Sequence, residues 1–95
     1  MKVVYTPRAR DDLDAIFRYL NDRSPVAAVS VLRTIRNRIA KLADFPLMAP
    51  VTEMADIRGL TVLRYPYKAY YRVEGDEILI LHVRDARRAS WQGAN

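Results

Sequence analysis

Few side chains of this sequence could carry catalytic or metal chemistry. Cysteine is absent, which excludes disulfides, thiolate nucleophiles and cysteine-based zinc or iron–sulfur sites. His82 is the single histidine, so a histidine-rich metal site is not expected either. Arginine supplies thirteen of the sixteen basic residues, and its planar guanidinium favours bidentate recognition of phosphate or carboxylate. The residue types therefore predict the binding of anionic groups, and neither a metal nor another cofactor is expected.

The overall charge indicates the same kind of partner. The chain carries a net charge of +5 over 95 residues, and a basic domain of this size usually binds nucleic acid or an acidic protein. One basic run comprises Arg33, Arg36, Arg38 and Lys41. It is either a solvated face or a binding surface for an acidic segment of a partner. Tyrosines at positions 65, 67, 70 and 71 could stack on bases, although alternation along a strand more often reflects sheet packing. Composition does not choose between the two partners.

Length and hydropathy limit the architecture. Ninety-five residues predict one domain, spanning residues 1–95, with one small core. The apolar runs are far shorter than the ~18–20 residues that cross a bilayer, and the first residues lack the apolar region of a signal peptide. We therefore expect a cytoplasmic protein that does not bind membranes.

Local signals predict one strand followed by two helices. Lys2–Tyr5 is a β-rich stretch, and Thr6 and Pro7 then form an N-cap followed by a proline at the first helical position. Ser24 and Pro25 repeat this pattern. Apolar residues recur at helical spacing in both segments: Leu13, Ile16, Phe17 and Leu20 in the first, and Ala28, Val29, Leu32, Ile35, Ile39 and Leu42 in the second. Two amphipathic helices with so short a connection lie antiparallel and need a sheet to cover their apolar faces.

The ends of the helices are predicted from polar residues and prolines. The first helix is expected to end near Asn21–Arg23, and the second at Asp44, Phe45 and Pro46. Three acids, Asp11, Asp12 and Asp14, are expected in the first turns, where the helix dipole favours negative charge.

The remaining sequence predicts three strands. Leu60–Tyr65 forms the first, and Pro66 ends or bends it. Tyr67–Glu74 and Glu77–Arg84 flank a two-residue Gly-Asp turn that is typical of a β-hairpin. The predicted fold class is α+β, with the order β-α-α-β-β-β and an antiparallel helical hairpin packed on a mostly antiparallel sheet.

The hairpin turn also predicts which side chains share a face. If pairing continues without interruption from the turn, Tyr71 lies opposite Ile80 and Ala69 lies opposite His82. The helix-facing set is then Ala69, Tyr71, Val73, Ile78, Ile80 and His82. The opposite, half-exposed set is Lys68, Tyr70, Arg72, Leu79, Leu81 and Val83. His82 is accordingly expected to be a partly buried packing residue.

This series of elements and motifs resembles the RelE/ParE superfamily of toxins from bacterial type II toxin–antitoxin modules. The matching stretches are the opening strand followed by PRARDDLDAI, a second helix ending in LADFP, and LRYPYKAYYRVEGDEILILHVRDARR. The resemblance covers nearly the whole chain and ends before Ser90. It implies a growth-inhibiting toxin of a plasmid-stabilisation or stress module. A cognate antitoxin would neutralise the toxin, and the complex would contact operator DNA only through that antitoxin.

The superfamily contains two mechanisms, and the resemblance carries residues for both. RelE-like members are metal-independent endoribonucleases that cut mRNA on the ribosome, and the positions matching their site are Lys68, Arg84, Arg87 and Glu53. ParE-like members poison DNA gyrase and lack the nuclease residues. Asp85 stands where many nucleases carry histidine, and Lys68 replaces an arginine. These departures favour the ParE-like branch, with the ribosome-dependent nuclease as the alternative.

Two protein-binding surfaces are also expected. Because arginine is in excess and one sheet face is half-apolar, the antitoxin is expected to fold along the helical hairpin and the sheet edge, where its contacts would be Arg33, Arg36, Tyr70, Leu79 and Leu81. The growth target is expected to contact Arg87, Arg88 and Trp91 near the carboxy terminus, with an antitoxin contact or a lid on the sheet edge as the alternatives for Trp91.

Overall fold

A computed structural model describes residues 1–88 and residue 91. The elements are β1 (Lys2–Tyr5), α1 (Pro7–Asn21), α2 (Pro25–Ala40), a 3-10 turn (Lys41–Ala43), β2 (Arg58–Val62), β3 (Tyr67–Glu74) and β4 (Glu77–Asp85). The predicted order β-α-α-β-β-β is confirmed. The bounds of β1 and β3 agree with the prediction, and β4 extends one residue beyond it.

Both helices begin at the predicted caps. The Thr6 side chain accepts a hydrogen bond from the Ala9 amide at 3.3 Å, and the Ser24 side chain accepts one from Ala27 at 3.2 Å. The first turn of α1 contains no acid, so the acids expected in its first turns begin in the second turn, at Asp11 and Asp12. Asp12 also contacts β4. Within the described part of the chain, neither helix is long and apolar enough to cross a membrane.

The four strands form one mixed sheet in the order β1-β4-β3-β2. β1 runs parallel to β4, and the other two pairs are antiparallel, which confirms a mostly antiparallel sheet. Both helices cover the same face. The core beneath them includes Leu13, Ile35, Ile39, Leu60, Tyr71, Ile78 and Ile80.

Two details of the helical and β2 predictions are wrong. The apolar stripes predicted for the helices include Phe17 and Val29, but both are exposed, and Val31 packs in the core instead. The prediction for β2 spans residues 60–65, whereas the strand begins and ends earlier. Its start is extended because Gly59 N donates to the Pro50 carbonyl and residues 51 and 58 form a bridge. Its end comes at a turn in which Arg64 takes a φ of +79°.

The hairpin pairing changes at a β-bulge in the middle of β4. Gly75 supplies the turn with a φ of +62°, and pairing follows the prediction as far as Tyr71 opposite Ile80. Leu81 then has no partner, and Tyr70 lies opposite His82. An extra residue reverses the alternation of faces beyond it. The predicted faces of His82 and Val83 are therefore wrong: Val83 joins the core and His82 leaves it.

Candidate functional site

The sheet face opposite the helices, here called the open face, carries several of the predicted site residues. Strand pairing aligns Lys68 with Arg84, and Tyr70 with His82, on this face. The rings of Tyr70 and His82 are stacked, with centroids 6.2 Å apart. Trp91 lies 5.0 Å from each of them. Tyr70 and His82 are each only 5 % exposed, so the prediction of a half-exposed Tyr70 is wrong.

A groove of about 190 Å³, here called the lysine groove, lies beside these aromatic rings. Its lining includes Glu53, Lys68, Tyr70 and Trp91. Gly59 makes room for the lysine, because a Cβ at this position would lie 2.5 Å from Lys68 Cε. The ammonium group of Lys68 lies 5.6 Å from the centroid of the Tyr70 ring. The structure thus brings two of the four nuclease candidates, Glu53 and Lys68, into one groove.

The other two nuclease candidates line a separate groove of about 520 Å³ between α1 and the end of β4. This arginine groove includes Arg8, Arg84, Arg87 and Arg88, together with Tyr19 and Tyr67. Arg87 is not aimed at an open site, since its Nη2 and Nε lie 2.6 Å and 3.0 Å from the carboxylate oxygens of Asp85. This contact lowers the pKa of Asp85 to about 2. Asp85 therefore remains ionised and bound to Arg87 at neutral pH.

The single histidine is held between two residues of α1. His82 Nδ1 lies 2.6 Å from Asp12 Oδ2, and Arg8 Nη2 lies 3.4 Å from His82 Nε2. Burial lowers the pKa of His82; the hydrogen bond and charge of Asp12 oppose this shift, and Arg8 and Arg84 add to it. The ring is thus neutral at pH 7, with Nδ1–H donating to Asp12 and Nε2 accepting from Arg8. Both ring nitrogens are engaged, so His82 does not present a free base.

Asp12 is the residue of this site that the sequence analysis missed. Its Oδ2 also accepts a hydrogen bond from the Val83 amide at 2.9 Å. The carboxylate therefore bonds the β4 backbone at a position beyond the end of β1. The available signal was its place beside Leu13 in the apolar stripe of α1, which predicts an inward-facing edge position.

The structure does not bring the predicted antitoxin contacts together on one surface. Arg33 and Arg36 lie on α2, in the helical layer, whereas Tyr70 and Leu79 belong to the open face. Arg36 lies 5.5 Å above the Tyr5 ring and lines a groove of about 390 Å³ along β1. The other lining residues of this β1 groove are Lys2, Val3, Val4, Tyr5, Arg10 and Leu13.

The remaining predicted contacts are also dispersed. Leu81 is the half-buried bulge residue of β4. The basic run on α2 divides, since Arg38 points to the opposite edge of the sheet and donates to the Thr61 carbonyl at 3.2 Å. Arg88 is exposed beside Arg87, whereas Trp91 covers the open face. The three predicted target contacts therefore face different surroundings.

Comparison with known proteins identifies a matching family and several similar toxins. Residues 3–90 match the sequence model of a family described as the ParE toxin of the type II toxin–antitoxin system parDE. Toxin ParE3 of Caulobacter vibrioides is 29 % identical over 89 residues, which cover 90 % of this chain and 87 % of that protein. Toxin RelE2 of the same organism is 33 % identical over 87 residues, covering 92 % and 97 %.

A solved structure agrees with these sequence relatives. A chain of the chromosomal ParDE toxin–antitoxin system from P. aeruginosa superposes with a TM-score of 0.80 and is 31 % identical. The match covers 90 % of this chain and 95 % of that one. It has the same arrangement of two helices on a four-stranded mixed sheet. The chain therefore belongs to the ParE toxin family of type II toxin–antitoxin systems, within the RelE/ParE superfamily.

Proposed function

We propose that this toxin acts in the cytoplasm by poisoning DNA gyrase through protein contacts, without cutting RNA. The observation that carries the proposal is that the groups best suited to RNA cleavage are already bonded within the protein: both ring nitrogens of His82 are engaged, and Arg87 is bound to Asp85. Glu53 and Lys68 line one groove and Arg84 and Arg87 line another, with Lys68 and Arg84 paired across β3 and β4. Gyrase inhibition is the other mechanism that the family resemblance implies, and it needs no catalytic residue.

The chemistry of metal-free RNA cleavage supports the same choice. The reaction needs a base for the 2′-hydroxyl, an acid for the leaving oxygen and cations around the phosphorus. His82 is the side chain whose ordinary pKa suits acid–base work near pH 7, yet it is buried and bonded at both nitrogens. Arg87 is neutralised by Asp85. Neither His82 nor Arg87 is therefore free to act on an RNA strand.

The test compares two purified systems. The toxin should inhibit DNA supercoiling by gyrase and accumulate cleaved plasmid, while leaving mRNA intact in a ribosome-dependent translation reaction. A Lys68→Ala/Arg84→Ala variant should still inhibit gyrase, because neither side chain has a catalytic role in this proposal. Intact supercoiling together with cut mRNA would contradict the proposal.

The nuclease remains a second candidate because Glu53 and Lys68 share the lysine groove with two aromatic rings. A carboxylate, an ammonium group and stacking surfaces could hold and polarise an RNA strand. Under this alternative, the toxin would cut ribosome-bound mRNA. Glu53→Gln and Lys68→Ala would each abolish the cleavage, and Glu77→Gln, at a half-buried glutamate outside this groove, would serve as the control.

For the antitoxin, we propose binding along the β1 groove. Lys2, Arg10 and Arg36 surround an apolar floor formed by Val3 and Leu13, which suits an acidic segment with apolar side chains. The opposite sheet edge is less available, because Gly59 N and the Thr61 carbonyl are already bonded by residues outside the sheet. Such an antitoxin would neutralise the toxin and would itself provide any contact with operator DNA.

Charge reversal separates the two edges. Arg36→Glu should weaken antitoxin binding by about tenfold or more, since it places a like charge against the acidic segment. Arg38→Glu, on the opposite side of the same helix, is the matched control and should leave the affinity near that of the wild type. Equal losses in titration calorimetry would show that net charge, and not the β1 groove, determines binding.

A further inference from the structure

Two cations lie side by side where β3 pairs with the end of β4. Strand pairing places Lys68 directly opposite Arg84, and like charges at opposite positions of neighbouring strands destabilise a sheet. Both side chains are half-buried. Within the described part of the chain, neither forms an ion pair with a carboxylate, Glu53 included. The fold therefore retains an unfavourable pair of charges that a bound anion would offset.

The arginine groove keeps a net positive charge after its own acids are counted. Four arginines and two aspartates line it: Arg8, Arg84, Arg87, Arg88, Asp12 and Asp85. Arg8 Nε lies 3.8 Å from Asp12 Oδ1. Arg87 Nη2 lies 2.6 Å from Asp85 Oδ2. Among the described residues, Arg84 and Arg88 have no such partner, so two positive charges remain to face the groove.

The other donors of the groove suit an oxyanion. Tyr19 and Tyr67 also line it, and burial raises the pKa of the Tyr67 hydroxyl, which therefore keeps its proton at pH 7. Guanidinium and hydroxyl groups are the side-chain donors that contact phosphate oxygens of a DNA backbone. Arginine in particular matches the geometry of phosphate with two parallel N–H groups. The lining thus combines the charge and the donors of a phosphate-binding surface.

An acidic peptide fits this groove less well than a phosphate backbone does. A bound peptide commonly adds to a free sheet edge through backbone hydrogen bonds. Here the Val83 amide, which points out of the sheet, already donates to Asp12 at 2.9 Å. The apolar lining is also limited, because Ile16 packs against the core. A phosphate backbone needs neither a free strand edge nor apolar pockets, since side-chain donors are sufficient to bind it.

We propose that the arginine groove binds phosphate groups of duplex DNA through Arg84 and Arg88, without reading the base sequence. The choice of DNA as the source of the phosphates rests on the proposed function, because gyrase holds DNA. The contact adds affinity for the gyrase–DNA complex and is separate from any recognition of operator DNA by the antitoxin. Lys68, opposite Arg84, extends the positive surface, and a phosphate bound between them would offset their repulsion.

The experiment measures the binding of the purified toxin to a short labelled DNA duplex by fluorescence anisotropy at several salt concentrations. Arg84→Gln/Arg88→Gln, the groove variant, removes the two unpaired charges. Arg18→Gln/Arg33→Gln, the control, removes two exposed arginines that do not line the groove. Each phosphate contact contributes about 0.9 to the slope of log K against log salt. The groove variant should therefore lose about two from the magnitude of this slope and bind about tenfold more weakly at low salt, whereas the control should keep the wild-type slope.

Two further measurements connect the binding to the fold and to the target. The groove variant should melt no lower than the wild type, because Arg84→Gln removes the like charge opposite Lys68. A lower melting temperature would show that Arg84 has a structural role and would contradict the assignment. In the supercoiling assay, the groove variant should still inhibit gyrase but should need a higher toxin concentration than the control.

Several results would overturn the assignment. These are equal losses of slope in the groove and control variants, a wild-type toxin that does not bind DNA, a strong preference for one duplex sequence over another, and tighter binding to RNA than to DNA. Failure of the unmodified toxin to inhibit gyrase, with groove-dependent DNA binding intact, is a different outcome. It defeats the proposed function and leaves the phosphate-binding groove in place.

Discussion

The two halves of β4 are held in different ways. The first half, Glu77–Ile80, is bonded to a strand on each side, with β1 parallel on one edge and β3 antiparallel on the other. The second half, beginning at His82, keeps β3 but has passed the end of β1. There α1 takes the place of the missing strand. Thr6, the N-cap of α1, donates from Oγ1 to the Ile80 carbonyl at 2.7 Å where the first half ends, and in the second half Asp12 accepts from the Val83 amide at 2.9 Å.

This difference shows how a sheet edge can become part of a polar site. A strand neighbour satisfies backbone groups and leaves side chains to pack in the core. A helix neighbour satisfies them with its own side chains, so it brings a carboxylate and a guanidinium to the edge. Asp12 and Arg8 then engage His82, which the bulge at Leu81 has moved to the open face. The first half of β4 thus depends on apolar packing, and the second half depends on a small polar network.

The largest expected effect on stability comes from a substitution in the apolar core beneath the first half of β4. Ile78 is fully buried between strand neighbours, and Ile78→Ala should lower the free energy of unfolding by about 3 kcal/mol, because it removes buried methyl groups and leaves a cavity. Leu79→Ala, one residue along and on the other face, should cost clearly less. Urea denaturation of the two variants measures the difference. Equal losses would show that the first half does not depend on the helix-facing core.

A substitution in the polar network of the second half of β4, here called the polar half, should have the next largest effect on stability. Asp12→Ala leaves the Val83 amide and His82 Nδ1–H without their acceptor, at a cost of about 2 kcal/mol. Asp11→Ala removes an exposed neighbouring carboxylate and should change the stability little. Hydrogen exchange adds a local readout. The Val83 amide should exchange faster in Asp12→Ala than in the wild type, whereas the Ile78 amide should exchange at the wild-type rate. An unchanged Val83 exchange rate would contradict the edge-bonding role of Asp12.

Features of the fold that short sequence motifs encode could be predicted. Thr6-Pro7 and Ser24-Pro25 mark the two helix starts, and Gly75 with Asp76 marks the hairpin, because each signal acts between residues close in the chain. The bulge at Leu81 could not be predicted in this way. A continuous run of apolar residues, Ile78–Leu81, has no alternation that would reveal where one residue leaves the pairing.

The candidate site was predicted less completely, because its contacts join distant parts of the chain. The resemblance selected Glu53 and Lys68, but their common groove depends on the missing side chain of Gly59. Asp12 and His82 are separated by seventy positions, and their contact exists only once α1 lies along β4. The burial of Tyr70 likewise depends on His82 and Trp91 packing against it.

The smallest expected effect concerns pH, and it sharpens the description of the polar half. Burial, the dominant cause, places the pKa of His82 below its ordinary value of 6.5, despite the opposing carboxylate of Asp12. The charged groups facing the ring are Asp12 and Arg8 from α1 and Arg84 from β4. Between the lowered pKa of the folded state and 6.5, the unfolded chain therefore binds a proton at His82 that the folded chain does not bind. The free energy of unfolding should fall as the pH decreases below this value and stay level above it.

Because His82 is the only histidine, one substitution isolates the effect. As the pH is lowered from about 7 to about 5, the free energy of unfolding of the wild type should decrease, by less than the Asp12→Ala substitution lowers it. In His82→Gln, the free energy of unfolding should stay nearly constant over the same range. Asp85 cannot account for such a change, since its unfolded and folded pKa values, 3.8 and about 2, both lie below this window. Chemical denaturation at a series of pH values measures both profiles. If acidification instead stabilised the wild type, the ring would be gaining more from the Asp12 carboxylate than it loses through burial, and the neutral histidine described for the polar half would be wrong.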